Sequence, residues 1–155
     1  RGNRRQDFVL QWAGTREDLE QRLRDAGWRP APPSLRSMLL WLSPQVALHE
    51  LPVLPQIHDG REDALRLAYY GADPHSRWVL RFWDVGVRLQ EGDLPVWAGS
   101  VSQQKLEPRM NLFTFAVDDP QTRAPADLLE PAWRGLKTWV MKGGNPQERI
   151  TLIAK

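Results

Sequence analysis

The sequence contains no cysteine. That excludes disulfides, thiol nucleophiles and cysteine-based zinc sites, and it leaves reducing and oxidising compartments equally open. Long apolar runs are also missing. The longest, MLLWL at residues 38–42, falls far short of the ~20 residues that cross a bilayer as a helix. Charge of one sign is scarce too: 21 Lys and Arg face 19 Asp and Glu, a net charge of +2, so no basic groove is expected and nucleic acid is not an expected partner. No internal repeat or low-complexity tract occurs. The chain opens on Arg1 without the charged-then-apolar pattern of a signal peptide, and the expectation is a piece cut or processed from a longer protein.

What is present in excess is tryptophan. Eight occur among 155 residues, and each needs a core slot or an amphipathic surface. The length suits one domain with one core. Residues 1–6, RGNRRQ, read as a basic lead-in or linker, either a disordered terminus or the flank of a cytoplasmic membrane-helix end, and residues 7–155 as a single domain.

Along that domain, DFVLQWAG (7–14) alternates as a strand stopped at Gly14. TREDLEQRLRDAG then has Thr15 as N-cap, Asp18 three residues on, a stripe of Leu19, Leu23 and Ala26, and Gly27 as terminator, which predicts a helix. WRPAPP (28–33) is extended by its prolines, and SLRSMLLWLSP predicts a short second helix between Ser34 and Pro44. From Leu65 the period changes to two: LRLAYYG, RWVLRFWDVGVRLQ, PVWAGSVSQQ and NLFTFAVDD are predicted strands, the second and third joined as a hairpin through EGDL. APADLLEPAWRGLKTWVMKGG carries Leu129, Ala132, Trp133, Leu136 and Trp139 or Val140 at helical spacing and predicts another longer helix, before a closing strand in ERITLIAK. The expected class is α+β: a mainly antiparallel sheet with two longer helices and one short helix packed on it.

Two stretches invite chemistry. In LPVLPQIHDGRED, His58 beside Asp59 suggests a general base or a metal ligand, but neighbours on an extended chain point to opposite faces, and Asp59-Gly60 equally suits a tight turn. His49 and His75 lie at no zinc-motif spacing, so no metal and no cofactor are expected. In RWVLRFWDVGV, placing Trp78, Leu80 and Phe82 toward the core puts Arg77, Val79, Arg81 and Trp83 on the other face, a cationic-aromatic stripe suited to phosphate groups or a lipid interface. Arg66 and Tyr70 share a face of the preceding strand and could extend it. The opposite assignment buries Arg81, which then needs a carboxylate such as Asp84 or one from QEGD. AGSVS (98–102) fails the Gly-x-Ser-x-Gly elbow, and KGGNP (142–146) follows a helix-like segment where a phosphate loop should precede one.

VLQWAGTREDLEQRLRDAGWRPAP, LPVLPQIHDGREDALRLAYYG and WVLRFWDVGVRLQEGDLPVWAGSVS, in that order, resemble the LssY C-terminal domain over most of residues 8–102. The matching positions include Trp12, Gly27, Trp28, Arg81, Trp83, Trp97 and Gly99. The resemblance implies a domain that in many bacterial proteins follows membrane segments of the DedA kind or of the phosphatidic-acid phosphatase superfamily, and it brings no catalytic residues with it. The phosphatase superfamily's own Lys, Arg, Ser and His motifs are absent. The expected function is therefore a non-catalytic accessory domain of a bacterial inner-membrane protein handling phospholipid or polyprenyl-phosphate, with the domain on the cytoplasmic side. Its expected partners are the membrane-embedded part of the same polypeptide or a separate membrane protein, and phosphorylated lipid head groups met through Arg66, Tyr70, Arg77, Arg81 and Trp83. The alternative is a stand-alone hydrolase or phosphate-ligand-binding protein, with His58, Asp59 and Asp84 as catalytic candidates.

Overall fold

The computed structural model describes residues 10–31, 48–109, 113–119, 126–142 and 149–154. The first strand, β1 (Leu10–Ala13), runs into helix α1 (Arg16–Asp25). Thr15 caps that helix as its sequence predicts, its hydroxyl accepting the Asp18 N–H at 3.3 Å. Leu19 and Leu23 are the helix residues that bury fully, and Gly27, at φ +92, takes the left-handed turn that ends the helix and leads into β2 (Arg29–Pro30).

Antiparallel strands follow: β3 (Ile57–His58), β4 (Arg61–Glu62), β5 (Leu65–Tyr69), β6 (Ser76–Leu89), β7 (Leu94–Arg109) and β8 (Phe113–Asp119). Helix α2 (Glu130–Trp133) is a single turn, and β9 (Lys137–Lys142) and β10 (Arg149–Ala154) close the described chain. The main sheet has eight strands in the order β2-β5-β6-β7-β1-β10-β9, with β8 also paired to β7, while β3 and β4 form a separate two-stranded hairpin. Long β7 serves two neighbours on one flank: Val96–Gly99 pair with β1, and Gln103–Arg109 pair with β8. β1 and β10 pair in parallel, so the sheet is mixed.

The expected α+β class with two longer helices is thereby corrected: the described protein is mostly β, and α1 is its one helix longer than a single turn. The error lies between residues 124 and 144. Pro131 fits the first turn of α2, but Gly135 at φ +80 ends the helical path two residues after Trp133. Lys137 to Lys142 then pair residue by residue with Ala154 to Arg149. Helical spacing of apolar residues loses here to strand pairing available only in the folded chain. The predicted short helix between Ser34 and Pro44 lies outside the described residues, as does the lead-in 1–6.

The tryptophans account for the core. On the face carrying α1 and α2, Leu10, Trp12, Leu65, Leu67, Leu80, Phe82, Trp97 and Ile153 pack against Leu19, Leu23, Trp28, Leu129 and Trp133. Trp12 stacks on Trp133 at 6.0 Å. A buried indole nitrogen usually finds an acceptor. Trp12 donates to Thr15 O at 3.1 Å and Trp97 to Gly14 O at 3.0 Å, tying the β1–α1 turn to the sheet, and Trp28 donates to Leu128 O at 3.2 Å, tying the end of α1 to the turn before α2. Gly99 sits under the Phe82 ring, where an added Cβ would meet Cε1 at 2.6 Å.

Candidate functional site

The other face of the sheet is not open. A segment from Leu48 to Asp63 straps across it: Leu48 and Leu51 pack on Leu106 and Ala116, and Val53 is buried. Both faces of the first half of β6 are therefore covered, with Leu80 and Phe82 on one side and Arg77, Val79, Arg81 and Trp83 on the other. The sequence choice between a core face and a cationic face was too narrow, because the cationic face is itself interior.

Register places the polar side chains on this hidden face. β5 and β6 set Arg66 directly opposite Arg81, and β6 and β7 set Arg77 opposite Gln104 and Arg81 opposite Ser100. β7 and β8 then bring Asp118 opposite Gln104. Arg77 donates from Nε to Gln104 Oε1 at 2.9 Å, from Nη1 to Leu48 O at 3.0 Å and to Leu51 O, and from Nη2 to Pro52 O at 3.0 Å. Its fork thus clamps the first part of the strap through backbone carbonyls. Burial lowers the Arg77 pKa, opposed by Tyr70 and Asp118.

Arg81 is held less completely. Its Nη1 donates to Ser102 Oγ at 3.3 Å, and its Nε lies 3.8 Å from Asp63 Oδ2 without a hydrogen bond. Burial lowers its pKa too, opposed by Asp118 and Asp63. Asp63 closes the far end of the strap: its N–H donates to Gln56 O at 3.0 Å, and its Oδ1 accepts the Gln56 N–H at 3.1 Å. The remaining oxygen, Oδ2, lies 3.3 Å from Arg66 Nε. Burial raises the Asp63 pKa, against the Gln56 hydrogen bond and the charges of Arg66 and Arg81.

Asp118 completes a ring. It accepts from Ser102 Oγ at 3.3 Å, Gln104 Nε2 at 2.9 Å and Gln56 Nε2 at 3.1 Å. Contacts therefore run Asp63, Gln56, Asp118, Ser102, Arg81 and back to Asp63. Arg66 stands at its rim, donating to Val53 O at 3.4 Å and to Glu62 Oε1 at 3.4 Å.

Of the residues singled out in the sequence, Arg66, Arg77 and Arg81 come together here. Trp83 is buried further along the same strand face, beside His58 at 6.1 Å between ring centres. Tyr70 is exposed at the edge of this face, in hydrogen-bond contact with Arg77, and lines a cavity of about 250 Å³ with His49, Asp73 and Ser76. His58 and Asp59 occupy the exposed β3–β4 hairpin. Asp59 at φ 47 and Gly60 at φ 75 make its turn, and this left-handed backbone brings His58 Nε2 within 3.5 Å of Asp59 Oδ2, closer than extended geometry would allow. Arg61 ties the hairpin to β6 by donating to Asp84 O at 2.9 Å. The Asp84 carboxylate accepts the Gly86 N–H at a bulge and is not the partner of Arg81.

Asp63, Asp118, Gln56, Ser102 and Gln104 were missed. For the last two a signal existed: Ser100, Ser102 and Gln104 alternate in AGSVSQQ, as residues facing Arg81 and Arg77 across a hairpin must. The bulge between Asp84 and Arg88 shifts that register, so counting back from EGD pairs the wrong residues. Among the described residues no group of three or more His, Asp or Glu side chains is placed to hold a metal ion, and no helix is long and apolar enough to cross a membrane.

A family model described as LssY C-terminus matches residues 1–123 of the chain. No curated protein and no solved structure matches it.

Proposed function

The chain belongs to the LssY C-terminus family, and on that premise we propose that it is a non-catalytic binding domain recognising a phosphorylated group through the arginine face of its sheet. In this reading it is the accessory part of a longer bacterial inner-membrane protein of phospholipid or polyprenyl-phosphate metabolism. The carrying observation is the pair Arg66 and Arg81, set directly opposite each other with a single carboxylate oxygen between them. Like charges facing across a ladder repel, and a buried guanidinium short of hydrogen-bond acceptors is costly. Two forks side by side suit the several oxygens of a phosphate. Arg77 faces the same way but is committed to the strap. A net charge of +2 makes general attraction to anionic lipid weak, which favours a specific site over a membrane-coating surface.

Flotation with phosphatidylcholine vesicles, with and without phosphatidic acid, tests this beside calorimetric titration with inorganic phosphate. Binding that needs phosphatidic acid and is lost in Arg81→Gln supports a lipid head group, whereas binding to phosphate alone supports a soluble phosphate ligand. Absence of both sinks the reading.

The proximity of His58 and Asp59 supports a second reading, a hydrolase using these residues and Asp84. His58→Ala separates the two: hydrolysis would fall by orders of magnitude, while phosphate binding would hardly change.

A further inference from the structure

We infer that Asp63 is an internal stand-in for the ligand anion, so that the hairpin end of the strap masks Arg66 and Arg81 until a phosphate-bearing group displaces it. This rests on the binding reading above and adds its regulation.

The strap is held unequally along its length. Its first part, Leu48 to Pro52, is clamped by the hydrogen bonds of Arg77, and its apolar residues are buried. Its second part carries the β3–β4 hairpin, with two residue pairs, an exposed Ile57 and a largely exposed Asp59. Among the described residues, the polar contacts that fix that part to the rest of the protein include Arg66 to Val53 O and to Glu62, Gln56 to Asp118, Arg61 to Asp84 O, and Asp63 itself.

The Asp63 carboxylate is a poor fit for the place it fills. One oxygen is spent on the Gln56 N–H, so the other alone must serve two guanidiniums, at 3.3 Å and 3.8 Å, and it has no hydrogen bond with either. A phosphate monoester offers three terminal oxygens and a second negative charge, enough to engage both forks at once. Asp63 comes from the strap, not from the sheet, so lifting the hairpin removes the competitor and uncovers the arginines in one movement. An internal anion of this kind lowers apparent affinity by the fraction of molecules in which the site is open.

The test uses the 155-residue chain and inorganic phosphate. Asp63→Asn should bind phosphate about tenfold more tightly than the wild type, as expected when a mostly closed site opens. In the wild type, phosphate should speed amide exchange in residues 54–62 and leave residues 48–52 unchanged. Wild-type binding with no gain in Asp63→Asn, or with residues 54–62 equally or better protected, overturns the masking role and leaves the binding reading standing. If Asp63→Asn does not fold, the wild-type exchange pattern decides alone. Failure of both proteins to bind phosphate overturns the masking role, and the binding reading falls with it when vesicles containing phosphatidic acid are not bound either.

Discussion

Replacing Arg77 with methionine keeps an unbranched apolar stem in the same slot and removes the guanidinium that holds the strap. Three buried backbone carbonyls, of Leu48, Leu51 and Pro52, and the Gln104 side-chain oxygen then lose their donor. An acceptor left unpaired in the interior costs about 1–3 kcal/mol, so simple addition overshoots, because the variant no longer desolvates a charge. The net loss expected on removing one partner of a buried charged network is about 3–5 kcal/mol, a large part of the ~5–15 kcal/mol that holds a typical domain. With an m-value of about 2 kcal/mol/M, the urea midpoint should fall by roughly 2 M. Amide exchange in residues 48–53 should rise in parallel. Arg77→Lys should not restore stability, because one ammonium cannot reproduce a planar fork that reaches three carbonyls and an amide. A midpoint within about 0.5 M of wild type would refute the clamp, since at that m-value it corresponds to only ~1 kcal/mol.

Gly99→Ala should cost about 1–3 kcal/mol by forcing the Phe82 ring out of contact, read as a lower thermal midpoint. Thr15→Ala removes the α1 cap and should cost about 1 kcal/mol in urea unfolding. The third concerns pH. The Asp63 pKa is raised in the folded state, so its contribution to stability is fully present below the ordinary carboxylate range and is lost as pH rises through the folded-state value. Wild type should therefore gain stability over Asp63→Asn as pH falls from neutral into the carboxylate range, and an opposite trend would mean that the Arg66 and Arg81 contacts outweigh burial.

Local signals in the chain were legible where one rule acted alone. Thr15, Asp18 and Gly27 bracket α1 because capping and the left-handed stop are short-range, and the alternation in β5 to β8 is strong enough to survive without context. Residues 124–144 were misread because Leu129, Ala132, Trp133 and Leu136 share helical spacing while Gly135 and the partner strand β10 override it. The arginine stripe on β6 was legible as a stripe. Its cover was not, because nothing local in LHELPVLPQIHDGRED says that Asp63 and three carbonyls of a proline-rich connector will fold back onto Arg77 and Arg81.

The most direct measurement is nitrogen-15 NMR of the arginine Nε–H groups during titration with inorganic phosphate. The account predicts that the Nε–H signals of Arg66 and Arg81 shift together with one dissociation constant, while that of Arg77, committed to Gln104, stays in place. Unmoved signals from Arg66 and Arg81 at phosphate saturation would contradict it and leave the buried arginines as fold-holding groups.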